Sequence, residues 1–126
     1  MLRNPLLNKS SRAQSIFNRA VKHYQKQEFD DTIAELNHVL ASYPRHTSAL
    51  LIRGASYQQR GDVERALTNY NELLDIFPQD ADAHMMRAQA HVQTGNLDGA
   101  IADASAVIAA DPKSCNAYML RGMAYA

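Results

Sequence analysis

The sequence predicts an all-α chain built as a solenoid of antiparallel helix pairs, and three observations carry that expectation. Pro44, Pro78 and Pro112 are evenly spaced, and Arg19, Arg53, Arg87 and Arg121 keep the same step. The small residues Ala20, Gly54, Ala88 and Gly122 share that period, as do Gly61 and Gly95. Repetition at this length marks stacked supersecondary units that lean on one another. No segment alternates apolar and polar residues with period two, so no strand is expected.

Residues 1–12 are expected to form a flexible leader. Ser11, with Gln14 three residues on, has the form of a capping box opening the first helix. Repeat one spans 13–46, with Gln27-Glu28 as its turn and Ile33, Leu36, Val39 and Leu40 as the apolar stripe of its second helix. Repeat two spans 47–80. Its first helix ends at Arg60-Gly61, where glycine supplies a left-handed terminus, and Asp62 caps the helix that follows. Val63, Ala66, Leu67, Tyr70, Leu73 and Leu74 recur there at three- and four-residue steps. Pro78 stops that helix, because proline lacks an amide hydrogen and pushes its predecessor out of helical geometry. Repeat three, 81–114, copies this with Gly95-Asn96 as the turn and Leu97, Ala100, Ile101, Ala104, Val107 and Ile108 as the stripe. Residues 115–126 read as the first helix of an incomplete fourth unit.

Composition narrows the function classes. Lys+Arg and Asp+Glu are 13 each, so no global charge excess points to nucleic acid or an anionic membrane. Cys115 is the one cysteine, which excludes an internal disulfide. No apolar run approaches the roughly 18 residues needed to cross a bilayer. Charge is nonetheless uneven. Residues 1–27 hold six bases and no acid, leaving seven bases against thirteen acids in the rest.

A helix–turn–helix of this period, with a small residue at the eighth place, alanine at the twentieth and proline at the thirty-second, resembles the tetratricopeptide repeat. Repeat two carries the fullest match, with Leu50, Gly54, Tyr57, Ala66, Tyr70 and Pro78. Repeat three keeps Ala88, Ala100 and Pro112 but has His91 and Ala104 where aromatics are usual. Repeat one keeps Ala20 and Pro44 but has Thr32 in place of the alanine. The resemblance covers 13–126 and implies a right-handed superhelix whose first helices line the concave side. It also implies a non-catalytic scaffold that binds a protein or peptide.

On that frame, the fifth and sixth places of the first helices read Phe17/Asn18, Leu51/Ile52, Met85/Met86 and Met119/Leu120. The ninth places add Val21, Ala55, Gln89 and Met123. The result is an apolar, methionine-rich strip, and flexible thioethers suit partners of varied shape. Two readings stand: a ligand reaches the strip, or it only packs one first helix against the next. Members of the family that hold acidic chaperone tails resemble one another in a clamp of Lys and Asn, then Asn, then Lys and Arg. Here those places hold Phe17 and Val21, Ile52, then Asp82 and Met86. Shifting by one repeat gives Leu51 and Ala55, Met86, then Asn116 and Leu120. The chaperone-tail clamp is therefore not expected.

Arginine departs from the leucine usual at the seventh place. Sixteen residues beyond lie Glu35, Asn69 and Asp103, and the forked guanidinium is expected to bond each within its unit. Phosphate loops, HExxH, GxSxG and Cys/His clusters are missing, so no catalytic residue, metal or cofactor is expected. His84 and His91 lie about 10.5 Å apart along one helix, too far to chelate one metal together.

The favoured function is a concave apolar groove for a peptide or partner helix. The alternative is a structural unit that self-associates through residues 115–126, whose Tyr118, Met119, Leu120, Met123 and Tyr125 give that end no polar face. The same observation fits a piece of a longer array. An RNA-binding repeat is disfavoured by the apolar strip and the lack of a basic stripe beyond the N-terminus. The expected setting is cytoplasmic, with a mitochondrial presequence as the minor alternative because the N-terminus is basic and acid-free.

Overall fold

The computed structural model describes residues 5–125, which form seven helices and no strand. They are α1 (Pro5–Gln25), α2 (Phe29–Ser42), α3 (Thr47–Gln59), α4 (Val63–Ile76), α5 (Ala81–Thr94), α6 (Leu97–Ala110) and α7 (Cys115–Tyr125). Each helix packs on the next along the chain, and α1, α3, α5 and α7 also touch in succession. Among the described residues no packing joins α1 to anything beyond α3, so the stack is open and not a closed bundle. The second helices α2, α4 and α6 do not meet one another in this way. First helices therefore form the tighter layer and second helices the splayed one. None of the described helices is long and apolar enough to cross a membrane.

The units are translational copies down to single torsions. Tyr43, Phe77 and Asp111 precede the three prolines, with φ/ψ of −132/76°, −135/81° and −138/90°. Each has its amide bonded to the carbonyl four residues back, at 2.8, 2.8 and 2.7 Å. The ring of a following proline imposes that extended conformation and ends the helix. Glycine supplies the inner turns of units two and three, at Gly61 (φ 84°) and Gly95 (φ 78°). Unit one must put Gln27 into the same left-handed region at φ 62°. The side chains of His46, Asp62, Asp80, Asn96 and Ser114 each accept from the amide three residues on and so cap α3 to α7. Glu28 makes no such bond for α2.

Two expectations need correction. The helix of unit one begins at Pro5, so 5–12 is not a flexible leader and Ser11 lies inside α1. Proline is pre-organised for the first helical position, and nothing between it and Gln25 breaks a helix, so the capping box at Ser11 is never used. Residues 1–4 lie outside the described residues. Leu97 belongs to the stripe by spacing but, as the first residue of α6, is 43% exposed.

The core follows the predicted stripes. Ala20, Leu36, Val39, Leu40, Ala49, Leu50, Leu73, Leu74 and Ala83 form one cluster spanning units one to three. Ala66, Tyr70 and Ala90 form a second, and Ala88, Ala104 and Leu120 a third. Core clusters that bridge units are what a repeat needs when no unit can bury its own face alone. Tyr70 is fully buried in the space left by Gly54, whose absent Cβ would stand 2.5 Å from Tyr70 Cε1. The Tyr70 hydroxyl donates to Gln58 Oε1 at 2.8 Å, and burial, aided by Tyr24, holds its pKa well above the ordinary tyrosine range. Thr32, which replaces the family's alanine, is also fully buried. Its hydroxyl donates to the Glu28 carbonyl at 2.8 Å, so no polar group is stranded.

The arginines build a polar ladder through the stack. Arg19 donates to Glu35 at 2.8 Å, Arg53 Nε to Asn69 Oδ1 at 2.7 Å, and Arg87 to both oxygens of Asp103 at 2.9 and 2.7 Å. Each of the last two also reaches back across the unit boundary. Arg53 Nη1 donates to Asn37 Oδ1 at 3.0 Å and Arg87 Nη1 to Asn71 Oδ1 at 2.9 Å. One guanidinium thus ties a first helix to the second helices on either side of it. Asn37 and Asn71 keep the repeat spacing themselves, each sixteen places before its arginine, a signal that a search for partners in the forward direction alone misses.

Asp103 is the most concentrated polar point. Its side chain is 3% exposed and meets Arg87, His84 Nδ1 at 2.8 Å and His91 Nε2 at 3.7 Å. The other His84 nitrogen lies 2.8 Å from the Pro78 carbonyl oxygen. The hydrogen bond to Asp103 raises the pKa of Arg87. Burial lowers that of His91, Asp103 opposing the shift and Arg87 adding to it. The two histidines share one carboxylate.

Candidate partner-binding groove

Helix α3 shows how the strip is positioned. Its places four and eight (Leu50, Gly54) are buried against second helices, so places five, six and nine (Leu51, Ile52, Ala55) turn toward the neighbouring first helices. Repetition of that register brings most of the predicted strip together along two depressions. The larger, about 760 Å³, lies between α5 and α7 over the end of α6 and is lined by Met85, Gln89, Val92, Met119, Leu120 and Met123 among others. The smaller, about 280 Å³, lies between α1, α3 and α5 and is lined by Tyr24, Leu51, Ile52, Ala55, Met85 and Met86, with Asp82. Met85 borders both and joins them.

The strip is not uniformly open. Ala55 and Leu120 are buried, whereas Leu51, Ile52, Met85 and Met86 are half-buried and Gln89 is exposed. Met119 and Met123 stand out, 65% and 58% exposed at the mouth of the larger depression. At the other end Phe17 stacks on His46 with ring centroids 4.8 Å apart and packs against the core. Phe17 and the half-buried Val21 line neither depression. The available apolar surface is therefore centred on α5 and α7.

Charge in the groove has one sign. No Lys, Arg or His lines either depression among the described residues, whereas Asp82 borders both and Asp111 the larger. Amides from Gln89, Gln93 and Asn116 supply neutral hydrogen-bonding groups around the larger one. A second concentration of ligand-type atoms, His23, Glu28 and Asp31, converges within 4.8 Å at the α1–α2 turn. Glu28 and Asp31 are exposed and His23 is half-buried, already lying 3.4 Å from Glu28. Cys115 is exposed at the start of α7.

An open stack of antiparallel helix hairpins, copied at one fixed period around a shallow apolar groove, defines a helical-repeat solenoid. The family model described as Tetratricopeptide repeat matches residues 7–81, 53–114 and 85–126, and the chain belongs to that family. Such repeats are non-catalytic protein-interaction modules.

No curated protein matches the chain by sequence. Among solved structures, the second TPR domain of human RPAP3 in complex with the HSP70 peptide SGPTIEEVD superposes with a TM-score of 0.87 at 16% identity, covering 94% of this chain and 98% of that one. The first TPR of Spaghetti (RPAP3), bound to the HSP90 peptide SRMEEVD, gives 0.86 at 18% identity over 92% and 93%. A tetratricopeptide repeat protein from Parabacteroides merdae gives 0.86 at 21% identity, covering 96% of this chain but 45% of that one. At these identities the likeness is one of fold.

Proposed function

We propose that the chain holds a partner segment, helical or extended, by apolar anchors seated in the concave groove between α5 and α7 and continuing toward α3. The observation that carries this is the union of exposed Met119 and Met123 with half-buried Met85 in one cavity of about 760 Å³. Unbranched thioethers repack around varied apolar side chains, so the site selects shape loosely and apolarity strongly. A right-handed superhelical twist, as in the family, would continue the concave surface from unit to unit.

The charge of the groove sets the second half of the reading. Two of the neighbouring folds hold acidic chaperone tails. The places where family members clamp such tails hold Phe17, Val21, Ile52, Asp82 and Met86 here, and Asp82 would repel a terminal carboxylate. The proposed partner is accordingly neutral or basic around its apolar anchors.

Pull-down with the wild-type chain, Met119→Glu and Met85→Glu/Met119→Glu tests this. Met119 is largely exposed, so its substitution leaves helical content unchanged while a groove-bound partner is lost. Saturable titration of the wild-type chain with the peptide SRMEEVD, weakened by salt, would overturn the selectivity argued here. Exposure of Tyr118 and Tyr125 favours a second reading, end-to-end self-association through residues 115–126. Sedimentation velocity across a hundredfold range of concentration decides it, since a monomer throughout removes that reading.

A further inference from the structure

The strip along the first helices is neutral except at one point. In each first helix, places two, five, six and nine are spaced by three and four residues and so share one face. Four such places in four first helices make sixteen positions, and Asp82 is the only charged residue among them. Its counterparts at place two are Gln14, Ser48 and Asn116. Asp82 therefore heads the stripe that runs down α5 through Met85, Met86 and Gln89.

That carboxylate borders the smaller depression, whose other walls are aliphatic or aromatic. Leu51, Ile52 and Ala55 come from α3, Met85 and Met86 from α5, and Tyr24 from α1. Tyr24 meets Phe29 edge to face with ring centroids 5.7 Å apart, which steadies the α1 side. A volume of about 280 Å³ is small for a separate ligand and suits one long side chain of a bound segment. Every wall belongs to units one to three. Asp82 is exposed, and among the described residues no Lys, Arg or His pairs with it, whereas Glu35, Asp62 and Asp103 each have an arginine.

The occupant follows from what happens to Asp82 when the pocket fills. An alkyl or aryl group seated there takes water from the carboxylate and offers no hydrogen bond in its place. An acidic group adds like-charge repulsion. A lysine or arginine does neither, since its methylene stem lies on Leu51, Ile52 and Met86 while its head stays at the rim and bonds the carboxylate.

We propose that the smaller depression is a pocket for one lysine or arginine side chain of the bound partner, with Asp82 as the residue that selects it. This rests on the groove reading and narrows it: apolar anchors supply the attraction, and one cation sets the register in which the segment lies. An exposed pair of this kind is worth about 5-fold in affinity at most, so Asp82 chooses among partners and does not hold them alone. An acid in the first turn of α5 also favours the helix dipole, but that role is indifferent to which peptide is bound.

Selection from a phage-displayed library of random dodecapeptides, run in parallel on the wild-type chain, Asp82→Asn and Asp82→Lys, tests this. Wild type should enrich peptides with a Lys or Arg among apolar residues. Asp82→Asn should keep the apolar preference and lose the basic one, and Asp82→Lys should exchange it for Asp or Glu. In a peptide selected on wild type, norleucine in place of the basic residue keeps a stem and removes the charge. Titration should then show about 5-fold weaker binding to wild type and no difference between the two peptides with Asp82→Asn. Amide shifts on saturation should centre on Ile52, Ala55 and Met86. Thermal unfolding verifies that each variant at this exposed position keeps the fold. Equal affinity of the two peptides for wild type, with shifts still at Met85 and Gln89, overturns this inference and leaves the groove reading standing, as does a basic preference that persists on Asp82→Asn. Shifts outside the groove, or no enrichment on wild type, overturn both.

Discussion

Gly54 and Tyr70 make one steric unit, and substituting them singly and together gives a sign reversal that can be worked out in advance. In wild type, Gly54→Ala puts a methyl carbon 2.5 Å from Tyr70 Cε1, with Cδ1 at 3.0 Å and Cζ at 3.1 Å. The ring cannot retreat, because it is fully buried and its hydroxyl is anchored to Gln58. Overpacking of this kind costs about 1–3 kcal/mol. With Tyr70→Leu in place the ring is gone, and leucine is what unit one places opposite Ala20. Gly54→Ala then gains the helix propensity of alanine over glycine, about 1 kcal/mol, with no clash. The same methyl group is destabilising in one background and stabilising in the other, a coupling of roughly 2–4 kcal/mol. Urea unfolding of the four chains measures it, with the m-value unchanged among them. Additivity within about 0.5 kcal/mol would show that Tyr70 moves freely and that glycine is not required for its packing.

Three further outcomes follow from particular side chains. Gln27→Gly removes the left-handed backbone cost of a side-chain-bearing residue and should stabilise the chain by about 1 kcal/mol, raising Tm by roughly 3–5 °C; Gly95→Gln should lower it by a similar amount. Asp103→Leu strands the Arg87 guanidinium and His84, and should cost roughly 3–5 kcal/mol in chemical unfolding. Asp103→Asn keeps an acceptor, as Asn69 does in unit two, and should cost only about 1–2 kcal/mol. His91 gives the pH dependence. Burial holds its pKa below the ordinary 6.5, so the unfolded chain takes up the proton first as pH falls through that value. Stability contributed by the neutral ring is lost below pH 6.5 until the folded-state pKa is passed. Unfolding of His91→Phe measured beside wild type at pH 7.5 and 5.5 should show the smaller loss in the variant.

Local chemistry repeated once per unit was readable without coordinates. Prolines, turn glycines and caps act on neighbours within four residues, and their period locates the turns between α2 and α7. The forward rungs of the ladder were readable too, because a spacing of sixteen joins the same places of two antiparallel helices in every unit. The backward rungs through Asn37 and Asn71 cross a unit boundary, and finding them requires a second spacing applied in the opposite direction. The start of α1 differs from expectation because a capping box describes a terminus a sequence can form, whereas Pro5 and an unbroken run of helix-tolerant residues decide which terminus it uses. The groove was readable only as a list of places. Which of them stay open depends on how closely successive first helices approach, a property of their joint packing. Hence Ala55 sinks and Met119 does not, though both sit on the same predicted strip.

The ladder bears on why arginine stands where family members usually carry leucine. A leucine at the seventh place would bury apolar area against its own second helix and would tolerate sliding, since that attraction has no direction. Arg53 and Arg87 instead require acceptors on both flanking second helices at once, at 2.7–3.0 Å and in the plane of the guanidinium. A shift of one unit against the next by one residue would break both rungs and leave Asn69 or Asp103, 3% and 2% exposed, short of a partner. The apolar stripes supply most of the attraction between units, and the arginines fix the register in which it operates. Registry held this way fixes the wall at Met85 against the units before it, because α5 cannot slip along α4 or α6 without breaking the rungs of Arg87.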